Sequence, residues 1–164
     1  MAAPGTFTIR RATLDDANEV LRCLYSAFAP YQHCYTKIAF EDTTLTRDSY
    51  PVRLAEMSVF VALDDSGRVI GTIASNVAGE REGHLRGMAV LPECQANGVA
   101  NQLLICAESD LLRQNCSHVT LDTTEPLQRA MRFYERNGYR RSGKIGDFFG
   151  MPLIEYVKVL SDRS

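Results

Sequence analysis

The segment Met88-Ala89-Val90-Leu91-Pro92-Glu93-Cys94-Gln95-Ala96-Asn97-Gly98-Val99-Ala100-Asn101-Gln102-Leu103-Leu104 carries the densest chemical signal in the chain. An apolar strand runs into a short loop, Gly98 permits close backbone approach, and a helix opens directly after it. The first amides of a helix lack partners and its N-terminus bears roughly half a positive charge, so anions favour this place. Such a turn can cradle a pyrophosphate without any cationic side chain, and small Ala96 and Ala100 keep the approach open.

Two common phosphate motifs fail. No GxGxxG occurs. Gly138-Tyr139-Arg140-Arg141-Ser142-Gly143-Lys144-Ile145 approaches a P-loop, but Ile145 stands where a magnesium-binding hydroxyl is needed. The following Gly146-Asp147-Phe148-Phe149-Gly150 is a poor helix opening, so a nucleotide hydrolase is disfavoured. His33-Cys34 has no companion cluster at ligand spacing, and no metal site is expected.

The elements that must position this turn follow from periodicity. Phe7 to Arg11 reads as a strand, and Thr13-Leu14-Asp15-Asp16 caps a helix with apolar Val20, Leu21, Leu24 and Phe28, ended by Pro30. Tyr31 to Thr46 has no clean period. A second helix is expected over Arg47 to Met57, with Pro51 as a break or late start. Ser58 to Leu63 and Arg68 to Val77 form a hairpin about Asp64-Asp65-Ser66-Gly67, Gly79 to Gly83 makes another turn, and His84 to Leu91 is a third strand. From Val99 the series Leu103, Ala107 and Leu111 predicts a helix, His118 to Thr123 a strand, and the two strands are expected to run parallel. Leu127, Ala130, Met131 and Tyr134 trace another helix capped by Asn137-Gly138, before strands at Tyr139 to Lys144 and Leu153 to Leu160.

Composition agrees with one α/β domain over residues 1–164. The chain is 45% hydrophobic and 23% charged, ordinary for a globular protein, and it has no internal repeat or linker. A net charge of -2 argues against a phosphate-backbone binder, so no nucleic-acid partner is expected. Five scattered cysteines without CxxC spacing suit a reducing cytoplasm. Neither an export signal nor a run of about 18 apolar residues is visible, so no membrane association is expected.

Gln95-Ala96-Asn97-Gly98-Val99-Ala100 resembles the coenzyme loop of the GNAT superfamily of acyl-CoA-dependent N-acyltransferases: Gln or Arg, two residues, Gly, one residue, Gly or Ala. Met88 to Pro92 is similar to that family's fourth strand, and Ala130-Met131-Arg132-Phe133-Tyr134-Glu135-Arg136-Asn137-Gly138-Tyr139 to its late helix and cap. The resemblance implies a mixed, mostly antiparallel sheet whose central parallel pair splays to hold coenzyme A, flanked by about four helices. Acetyl-CoA is the implied cosubstrate, contacted by Met88, Ala89, Val90, Gln95, Ala96, Asn97, Gly98, Val99, Ala100, Asn101 and Tyr134. One departure stands out. The family often has Asn three residues before the alanine of the late helix, and this chain has Leu127, leaving Thr123, Thr124 or Gln128 as replacements.

The implied reaction is acetyl transfer to a primary amine of a small molecule or peptide by direct attack. Tyr134 lies on the apolar face of its helix and by itself reads as a packing aromatic; the resemblance makes it the general acid for the departing thiolate. A protonated amine needs a base, and the cluster Glu80, Glu82 and His84 offers His84 as candidate, against a merely packed histidine. The excess of Arg129, Arg132, Arg136, Arg140, Arg141 and Lys144 suits either the coenzyme's 3′-phosphate or a wet helix face. Tyr31, Tyr35, Phe40, Phe148 and Phe149 are candidate walls of an acceptor pocket. Superfamily members often dimerise, so a homodimer is the expectation. The rival readings are a silent coenzyme-binding sensor and a nucleotide-binding module on the same helix end.

Overall fold

Val, Ile and Phe dominate the residues from Ser58 to Val77, and this composition builds the centre of a seven-stranded sheet. The computed structural model describes residues 6–161. Its strands are β1 (Thr8–Arg11), β2 (Ser58–Leu63), β3 (Val69–Gly79), β4 (Glu82–Val90), β5 (His118–Thr124), β6 (Arg140–Phe148) and β7 (Met151–Val159), ordered β1-β2-β3-β4-β5-β7-β6. All neighbours are antiparallel except β4 and β5. The β2–β3 turn is held by the Asp64 carboxylate, which accepts from the Ser66 and Arg68 amides, with Gly67 at φ +83°.

Among the described residues, five α-helices accompany the sheet: α1 (Ala17–Phe28), α2 (Lys37–Thr44), α3 (Ser49–Glu56), α4 (Val99–Arg113) and α5 (Gln128–Arg136). The Thr13 hydroxyl and Asp16 carboxylate form a capping box ahead of α1, and Arg10 donates two 2.8 Å bonds to the same carboxylate. Helix α2 lies in the stretch without clean period. It is short, capped by the Thr36 hydroxyl, and buries only Ala39, Phe40 and Thr44, too few positions to mark a repeat. Pro51 sits in the first turn of α3, where a missing N–H breaks no helical bond, so it opens that helix rather than kinking it.

Helix α4 lies tightly on the sheet because two strand positions are glycine. A Cβ on Gly71 would come within 2.9 Å of Val99, and one on Gly83 within 2.6 Å of Leu111. The last two strands exceed the expected Tyr139–Lys144 and Leu153–Leu160 spans, meeting in a hairpin tied back by a bond from the Thr36 hydroxyl to the Phe149 carbonyl. The P-loop-like run from Gly138 continues as strand β6 with no helix behind it, which disposes of that motif. Beneath α4, buried Glu108 accepts from the Tyr139 hydroxyl at 2.7 Å and from Lys158 at 3.0 Å.

Candidate active site

Strand β4 keeps β3 along its length but loses its parallel partner halfway along. Glu82 to Leu85 pair in parallel with His118 to Leu121, but no ladder joins Arg86–Val90 to Asp122–Thr124, while β5 stays paired with β7 as far as Thr124. The cause is local. Between the pairs Ala74↔Arg86 and Thr72↔Ala89 the β4 side has one residue more than β3, and Gly87 takes a φ of +62°. This bulge bends β4 away from β5, and a cavity of about 730 Å³ opens along the split.

The loop after β4 leads the backbone to the helix end expected to attract anions. Gly98 adopts φ +82° as the N-cap of α4, and a Cβ there would meet open space. Among the described residues, the N–H groups of Gly98, Val99, Ala100 and Asn101 have no acceptor; the Gln102 amide is the first to bond back, to the Gly98 carbonyl. Ala96 also has positive φ, +72°. The side chain of Val99 is buried against the sheet, so only its amide remains for a ligand. Gln95 turns inward and donates its amide to the Val90 carbonyl at 3.2 Å, bracing the bend between strand and loop.

Tyr134, from α5, borders the same cavity at its ring end. The ring packs edge-on to Tyr139 and Phe133, and burial raises the phenol pKa above its ordinary value. Its hydroxyl makes no hydrogen bond to the described residues, unlike the satisfied hydroxyl of a packing tyrosine. Helix α5 ends as expected, with Gly138 at φ +92° and the Tyr139 amide bonded to the Tyr134 carbonyl.

His84 faces the cavity from β4. Its Nδ1 is 2.8 Å from the Thr120 hydroxyl and its Nε2 is 3.6 Å from Asp122. Burial lowers the imidazole pKa, partly opposed by the Asp122 charge, and burial raises that of Asp122. Glu82, by contrast, bonds His118 at the far end of the strand, and Glu80 lies in the turn, away from the cavity.

Of the replacements for the missing asparagine, Thr124 is engaged by the Tyr35 hydroxyl at 2.7 Å and Gln128 donates to the Glu125 carbonyl at 2.6 Å. Thr123 is different: its hydroxyl is buried and unpartnered among the described residues, and the residue itself borders the cavity beside Leu127. Tyr31, Tyr35 and Phe148 line the cavity, whereas Phe40 packs in the core and Phe149 is exposed. Asp122, Asn76 and Arg53 also reach the cavity, and none stood out in the sequence. The available signal for Asp122 was alternation, since it lies two residues beyond Thr120 on one strand.

A profile of the acetyltransferase (GNAT) family matches residues 17–139, well over half of the chain. The chain belongs to the GNAT acetyltransferase family. Solved structures share this GNAT fold at low identity. A GNAT-family acetyltransferase from Staphylococcus aureus Mu50 superposes with a TM-score of 0.79 at 17% identity, covering 95% of this chain and 100% of the other. The PaiA N-acetyltransferase of Thermoplasma acidophilum, solved in complex with coenzyme A, gives 0.75 at 17% identity over 94% and 99% of the two chains. The ribosomal-protein-S18-alanine N-acetyltransferase of Escherichia coli gives 0.75 at 16%, over 97% of each. The GNAT assignment accounts for the parallel pair at the sheet centre, and acyl transfer is the chemistry of the family. No helix among the described residues is long and apolar enough to cross a membrane.

Proposed function

We propose that this GNAT protein is an N-acetyltransferase that moves the acetyl group of acetyl-CoA to a primary amine by direct attack. The observation that carries the reading is continuity. The unpaired half of β4, the free amides from Gly98 to Asn101 and the unengaged Tyr134 hydroxyl all border or open onto one split in the sheet. These features fit the coenzyme: amides for its pyrophosphate, strand edge for its peptide-like arm, and the Thr123 hydroxyl as a polar contact where asparagine is missing. A coenzyme A complex of a protein with the same fold supports the pairing.

In this reading His84 receives the proton that the ammonium must lose. With Nδ1–H donating to Thr120, and the Thr120 hydroxyl 3.5 Å from the Gly83 carbonyl, Nε2 carries the lone pair, and Asp122 stabilises the imidazolium that results. The amine nitrogen then bonds to the thioester carbon and the carbon–sulfur bond breaks. A main-chain N–H near the β4 bulge stabilises the developing oxyanion. Tyr134 gives its proton to the departing thiolate, whose ordinary thiol pKa of about 8.5 lies below that of a phenol, so its hydrogen bond matters most while charge builds on sulfur.

Heat stability measured with CoA, acetyl-CoA, ATP and NAD tests the ligand, because only a native-state ligand raises apparent stability. Acetyl-CoA and CoA should stabilise more than ATP or NAD; the reverse order overturns the reading. Thiol release over a panel of amines then separates a catalyst from a silent sensor.

A further inference from the structure

Arg53 on α3 is 8% exposed, yet it has neither an ion-pair nor a hydrogen-bond partner among the described residues. Its guanidinium nitrogens are not sealed, and a largely desolvated cation facing a cavity without an ion pair favours an anionic acceptor there. It borders the cavity, and the β4 bulge gives it room: a Cβ on Gly87 would lie 2.8 Å from Nη1. Burial and the neighbouring Arg86 charge lower its pKa to about 10, so it stays cationic at neutral pH. Asp42 and Glu56 are the nearby carboxylates. Their charges partly offset that lowering, but Asp42 is held at 2.7 Å by Arg86, and exposed Glu56 forms no ion pair with Arg53.

A second orphan borders the same space. The Asn76 Oδ1 atom is buried without a donor, and Asn76 lies directly across the β3–β4 ladder from His84. A lone amide oxygen beside the candidate base suits an amine N–H, while the lone guanidinium suits two carboxylate oxygens.

We infer that the acceptor is a small amine that also bears a carboxylate, its carboxylate seated on Arg53 and its nitrogen held between Asn76 and His84. This rests on the proposed acetyltransferase activity for its turnover, but not for its binding. The amide oxygen and the guanidinium together select against amines lacking the anionic group, since those would displace water from Arg53 without supplying an acceptor.

The test compares glycine, L-alanine, L-methionine, L-phenylalanine and L-glutamate with their carboxamides, plus spermidine and an uncharged tripeptide. Binding to the CoA-loaded protein is read by calorimetry and turnover by thiol release, so a protein that binds amino acids without turning over defeats the enzymatic reading alone. At least one amino acid should surpass its carboxamide by about 10–100-fold in affinity, the scale of a charge-assisted pair. Arg53→Met should erase that preference by raising the amino acid's Kd and KM while leaving the KM for acetyl-CoA in place, and Arg53→Lys should keep part of it. Equal binding of acids and amides, preference for spermidine or the tripeptide, or an Arg53→Met defect that falls on CoA instead would overturn the inference. The wild-type comparison decides it even if a variant fails to fold.

Discussion

The Nδ1 atom of His84 lies 2.8 Å from the hydroxyl of Thr120, its register partner on the parallel neighbouring strand. That contact fixes the ring and turns Nε2 toward Asp122 and the cavity. Because burial lowers the His84 pKa, the neutral, base-competent form predominates at neutral pH, and activity should fall only as pH drops through a value below the ordinary ~6.5. His84→Ala should reduce kcat by about 10²–10⁴-fold and abolish this acid limb. Asp122→Asn removes a charge that raises the His84 pKa, so the limb should move to lower pH; pH–rate profiles of the three proteins check the sign.

Tyr134→Phe deletes only a hydroxyl that bonds no described residue, so folding should be little changed. Stopped thiol-release assays should show kcat lower by about 10²–10⁴-fold with the acetyl-CoA KM nearly constant. Because burial raises the phenol pKa, no alkaline loss of activity from this group is expected below pH 10.

Gly98→Val forces a β-branched residue into φ +82°. The left-handed conformation costs roughly 1–2 kcal/mol for a non-glycine residue, and relaxing it would displace the amides of Gly98 and Val99. Calorimetric titration should find CoA affinity reduced at least about tenfold, the equivalent of 1.4 kcal/mol.

Thr123→Val separates stability from binding. Replacing an unpartnered buried hydroxyl by a methyl should leave the free protein as stable or more stable by about 1 kcal/mol, while CoA binds several-fold more weakly. Urea unfolding with and without CoA measures both effects in one series.

Lys158→Met leaves Glu108 buried with only the Tyr139 hydroxyl against it. A loss of about 3–5 kcal/mol in urea unfolding is expected, the usual cost of stripping one partner from a buried pair. Neither Lys158 nor Glu108 lines the cavity, so the acetyl-CoA KM should stay in place; any change in kcat would come through Tyr139, which packs on Tyr134.

Strong local rules made most elements readable. The Asp64 turn, the α4 stripe of Leu103, Ala107 and Leu111, and the Gly138 cap each depend on neighbours within a few residues. Helix α2 escaped because its few buried residues make no period, and Pro51 was ambiguous because its effect depends on whether a helix has already started. In the candidate site, the Gly98 turn was visible in the local pattern and Tyr134 only through the family resemblance, whereas Arg53, Asn76, Asp122 and the orphaned state of Thr123 were not visible at all. Burial and lack of a partner are properties of surroundings, and a string of residues carries no record of them.

Residue order alone therefore determined the sequence of strands and helices, the family resemblance and the anion-receptive turn, because short-range sterics, hydrogen bonding and periodicity settle those within one or two turns of chain. Tertiary packing decided that β4 parts from β5 at a one-residue bulge, that His84 meets Thr120 and Asp122, and that Arg53 faces the cavity without an ion pair. These depend on which distant segments exclude water from each other, and the free energy of a charge is set by that exclusion.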